Sequence, residues 1–117
     1  MKVTRIYTGS DGNARFEDVE ITLDIGGGAI QRSRPSKATG VFFSITDGPF
    51  FKDYHNTNLH RQYIIILEGE VEVGVSEDDK RRFGPGSVLL LEDTSGRGHT
   101  TRSVNDQLRK EVFITLD

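Results

Sequence analysis

Turn-forming residues cut this sequence into runs too short for helices. Ser10-Asp11-Gly12-Asn13, Gly26-Gly27-Gly28, Asp47-Gly48-Pro49, Gly84-Pro85-Gly86 and Asn105-Asp106-Gln107 punctuate the chain. Such clusters favour turns because glycine, asparagine and aspartate tolerate positive φ and proline presets a bend. The stretches between them show a period of two, not 3.6. Residues 70–75 alternate strictly, with Val71, Val73 and Val75 on one face and Glu70 and Glu72 on the other. That is a half-buried strand. Residues 62–67 are apolar on both faces, as in a strand covered on both sides. Residues 3–8, 16–23, 40–45, 88–91, 100–103 and 111–116 supply further strands. No window carries a helical pattern. About eight to ten short strands predict an all-β sandwich or barrel.

At 117 residues the chain is one domain, with room for a single modest core. The sequence predicts N-terminal strands and a loop over 1–39, then a barrel core over 40–117. A net charge of -3 argues against a general nucleic-acid or membrane-surface binder. No apolar run approaches the roughly 20 residues needed to cross a bilayer. The N-terminus lacks an apolar signal core, so a cytoplasmic protein is expected. With no cysteine, disulfides and thiolate chemistry are excluded. Gly26-Gly27-Gly28 precedes neither Lys-Ser/Thr nor a helix, so it is a plain loop rather than a phosphate cradle.

Chemistry concentrates in one place. The three histidines are His55, His60 and His99. The first two, with Arg61 and Gln62, lead directly into the apolar run at 62–67, and His99 follows the Gly96-Arg97-Gly98 turn. Neutral imidazoles bind first-row divalent metals, and an amide oxygen is a weaker neutral donor. His60 lies two residues before Gln62, so on an extended strand both side chains point the same way. It either joins the site or sits solvated at the rim. Asp93 and Glu92 are candidates for an acid–base pair, or for orienting an imidazole. Alternation turns Arg61, Tyr63 and Arg102 outward, toward surface or interface ion pairs. Phe42, Phe43, Phe50 and Phe51 are expected in the core and pocket wall. The outward series Tyr63, Ile65 and Leu67 is too apolar to meet water, and needs cover from the N-terminal strands or another subunit.

The run from His55 to Gly69, then Phe83-Gly84-Pro85-Gly86, then Gly96-Arg97-Gly98-His99, resembles the small single-domain cupins. The resemblance implies a double-stranded β-helix, or jelly roll. It matches His55 and His99 to two of that family's metal-binding histidines, and places Gln62 where the family has glutamate. Thr57 stands at the family's second histidine and Thr94 at its proline. The implied site is a divalent metal (zinc, iron or nickel) held by His55, Gln62 and His99, with His60 a fourth candidate. The implied function is a small metalloenzyme acting on an oxygenated small organic molecule, of isomerase, cyclase, lyase or dioxygenase type. The alternative is a non-catalytic barrel holding a sugar or small acid over a degenerate metal site. The resemblance also implies a homodimer.

Overall fold

The computed structural model describes residues 1–58 and 60–117. Its ten strands form two sheets, with no helix among the described residues. They are β1 (Lys2–Thr8), β2 (Ala14–Glu20), β3 (Gly40–Thr46), β4 (Phe51–His55), β5 (Gln62–Glu68), β6 (Val71–Ser76), β7 (Asp79–Phe83), β8 (Val88–Glu92), β9 (His99–Ser103) and β10 (Arg109–Thr115). The larger sheet runs β2-β1-β8-β5-β10-β3 and the smaller β4-β9-β6-β7. All pairings are antiparallel except that of β1 with β8. Because β1 lies between β2 and β8, residues of the N-terminal segment belong to the same sheet as the barrel core.

Two of these strands carry no strand signal in the sequence. Asp79–Phe83 is mostly charged and occupies the edge of the smaller sheet, where charge discourages further pairing. Phe51–His55 forms the opposite edge and departs from simple alternation, its register against β9 shifting between Lys52 and His55.

One half of the space between the sheets is filled. Ile6, Ile64, Ile66, Val71, Val73 and Leu89 form its centre, each at most 8% exposed. Phe16 and Phe113 pack against this cluster. The other half, between β3 and β10 on one side and β4 and β9 on the other, holds a cavity of about 320 Å³.

Here the apolar pattern is inverted. Along β3, Ser44 and Thr46 line the cavity, while Val41, Phe43 and Ile45 face outward at 57%, 77% and 65% exposure. Along β10, Arg109, Glu111 and Phe113 point inward. This corrects the expected role of the phenylalanines. All four are exposed; Phe50 still lines the cavity and Phe42 stacks on Phe113, whereas Phe43 and Phe51 do neither. The N-terminal strands do not cover the outward face of β5; they extend the sheet beyond β8.

Candidate functional site in the cavity

Gly98 fixes the centre of the site. Its φ of 80° lies in the left-handed region, and a Cβ there would run into the His55 carbonyl. Glycine therefore lets β9 start directly against the end of β4, pairing His99 with His55. The two rings lie 4.5 Å apart between centroids, tilted by 55°.

Each ring is held by its Nδ1. In His55, Nδ1 lies 2.8 Å from the Asp53 carbonyl oxygen, which can only accept, so the proton resides on Nδ1. In His99, Nδ1 lies 2.6 Å from Oδ2 of Asp93, a carboxylate oxygen that accepts from an Nδ1–H. In this tautomer each ring, when neutral, keeps its Nε2 lone pair free. Metal-binding histidines are commonly oriented this way, by a carbonyl or carboxylate on the far nitrogen. Burial pushes the His55 pKa below the ordinary histidine value, and the neighbouring His99 and Lys52 add to the depression. The carbonyl of Asp53 opposes it without reversing it.

Gln62 enters the same cavity from the facing sheet, and Thr57 lines it as well. The Thr57 hydroxyl is buried without a hydrogen-bond partner, and so is Oδ1 of Asp93, whose residue is fully buried. The two imidazoles and the Gln62 amide are neutral donors, which suit a divalent ion that accepts nitrogen and amide ligands. No group of three or more His, Asp or Glu placed to hold a cation occurs among the described residues. Any metal would therefore rest on two imidazoles with amide or hydroxyl help.

The remaining candidates lie elsewhere. His60 is exposed and does not line the cavity. The alternation argument fails for it because β5 begins only at Gln62, after a left-handed bend at Asn58. Glu92 also points away from the cavity. It is bound by Arg5 and by Arg61, the latter at 2.8 Å. Burial works to raise the Glu92 pKa, but both guanidinium groups outweigh it and hold it below the ordinary carboxylate value. Glu92 is thus an ion-paired anchor, and Asp93 alone of the pair meets a histidine. Arg61 also pairs with Asp117, Arg102 stacks over Phe51, and both face outward as alternation predicts.

Sequence reasoning missed Arg109 and Glu111. They form a buried ion pair, Nε to Oε1 at 2.7 Å, and both line the cavity. The signal was alternation with Phe113 on β10.

No protein-family model matches the chain, and no curated protein matches it in sequence. Solved structures do match it in fold. A cupin 2 conserved barrel protein from Salinispora arenicola superposes with a TM-score of 0.52 at 19% identity, over 66% of this chain and 61% of that one. A sugar phosphate isomerase of the cupin superfamily from Silicibacter pomeroyi gives 0.54 at 14% identity, over 67% and 50%. The cupin domain of a Schizosaccharomyces pombe protein gives 0.56 at 10% identity, over 98% and 83%. The chain thus spans only half to three-fifths of the length of the first two. Ten strands in two sheets, without a helix among the described residues, match these jelly rolls. The chain has the cupin fold.

Proposed function

With the cupin fold as premise, we propose that this barrel binds a small oxygenated molecule beside a divalent metal ion held by His55 and His99, with Gln62 as third donor. One observation carries the reading: two facing imidazoles in one cavity, each with its Nδ1 proton committed to an oxygen and its Nε2 free. The cavity volume is at the small end of the range for ligand sites. A metal there would supply Lewis acidity toward a carbonyl or carboxylate oxygen. The chain's own residues do the rest. Asp93 and the Asp53 carbonyl hold the ring tautomers, Phe50 and Phe113 wall the cavity, and Thr57 offers a hydroxyl to the ligand.

Metal analysis of protein purified without an affinity tag tests this. Near-stoichiometric zinc, iron or nickel is expected in the wild type and is lost in His55→Ala and in His99→Ala. Metal retained in both variants defeats the assignment.

A second reading is a ligand-binding barrel without metal or catalysis. It is favoured by the lack, among the described residues, of three or more His, Asp or Glu grouped to hold a metal ion. Chelator-treated protein whose melting temperature still rises on adding a ligand would support it over the first.

We also propose a homodimer through the outer face of β3, β10 and β5. Val41, Phe43, Ile45 and Leu67 stand exposed there beside the partly buried Ile65, Val112 and Ile114. A continuous apolar sheet face of this kind is normally covered.

A further inference from the structure

We infer that the cavity holds an anion subsite centred on Arg109, with Lys52 between it and the imidazoles, which takes the carboxylate or phosphate group of a small organic acid. This rests on the reading that the cavity binds a small molecule, but not on the metal. Arg109 lies six residues along β10 from Thr115, the register partner of Gln62. At ~3.4 Å per residue that is about 20 Å of backbone, so Arg109 enters the cavity from the end of β10 away from Gln62.

Arg109 is 3% exposed, yet only part of its guanidinium is satisfied. Nε donates to Glu111, and Nη2 reaches the Thr46 hydroxyl at 3.5 Å. Nη1 is buried with no partner. A buried N–H donor left without a partner is costly, and its burial is tolerated where a partner arrives. Lys52, in register with Thr101, lies between Arg109 and the imidazoles and lines the cavity. It makes no ion pair among the described residues. The lining thus carries two basic side chains, the buried Arg109 and the exposed Lys52, against one carboxylate, Glu111. An oxyanion answers both needs, because it accepts from a guanidinium and neutralises the lysine. Ser44 and Thr46 add hydroxyl donors on the same wall.

The test is calorimetric titration of chelator-treated protein with malate and with glucose 6-phosphate, each beside its uncharged counterpart, dimethyl malate or glucose. At least one acid is expected to bind while its counterpart does not. The acid that binds tells a carboxylate site from a phosphate site. Lys52→Met, a change at an exposed residue that leaves the core intact, should weaken that acid by about tenfold. Arg109→Gln should abolish binding, with folding checked by circular dichroism. Equal binding of acid and counterpart, undiminished binding by Lys52→Met, or no binding of either acid at millimolar concentration overturns the inference. Acid binding that requires added metal and ignores Lys52→Met places the anion on the metal instead. Failure of the metal reading alone leaves the Lys52 effect intact.

Discussion

At the scale of single residues, the site depends on which nitrogen of each imidazole carries the proton. Asp93 is the strongest control, since it is fully buried and its one hydrogen-bonded oxygen meets His99. Asp93→Ala should lower metal affinity about 10–100-fold, as loss of a partner behind a histidine ligand typically does. It should also cost on the order of 1–3 kcal/mol of stability by leaving Nδ1–H unpaired. Competition against a chromophoric chelator and urea unfolding measure the two. His55 gives a separate, pH-dependent signature. Its folded pKa is depressed, so the unfolded chain binds the proton more readily. Metal-free stability is therefore complete above the ordinary histidine pKa of about 6.5 and falls as pH drops below it. The decline levels off below the folded value. Urea unfolding across this window should show the slope in wild type and a shallower one in His55→Asn.

At the scale of elements, two turns position the chemistry. Gly98→Ala forces a left-handed φ on a residue with a Cβ and drives that Cβ into the His55 backbone. A loss of about 2 kcal/mol or more is expected, with metal binding lost in the fraction that stays folded. Thr57 lines the cavity at the position where the cupin pattern carries a second histidine. Thr57→His should raise metal affinity on the order of tenfold, ~1.4 kcal/mol. How far the elements were legible depends on which side their apolar residues face. Strands of the filled half were readable because Val71, Val73 and Val75 obey the inward rule. His55, Gln62 and His99 were readable because their chemistry is scarce in this chain and their spacing matched a known pattern. Arg109 and Glu111 were hidden because β10 turns its apolar Val112 and Ile114 outward, so its polar residues pass for a solvated face. His60 had two open readings, in the site or solvated at the rim, because alternation with Gln62 holds only if the strand extends through it, and β5 begins at Gln62.

At the scale of the molecule, the inversion of β3 and β10 has one physical consequence. A sheet that turns its polar residues in, around a polar cavity, and its apolar residues out has two surfaces to satisfy. The proposed ligand would answer the first and the proposed second copy the second. β3 is also an edge strand, so its unpaired backbone adds to the need for cover. Light scattering should give a dimer for the wild type, and Phe43→Glu with Ile45→Lys should give a folded monomer. A wild-type monomer at micromolar concentration would remove the dimer from the account. The central claim, that the two cavity histidines form the binding centre and the third does not, has a direct measurement. Histidine ring NMR during a zinc titration follows all three side chains at once. Nδ1–H tautomers are expected for His55 and His99 before zinc, then coordination shifts at Nε2 of both by one equivalent, with His60 unmoved. Shifts at His60, or none at His55 and His99, would contradict it.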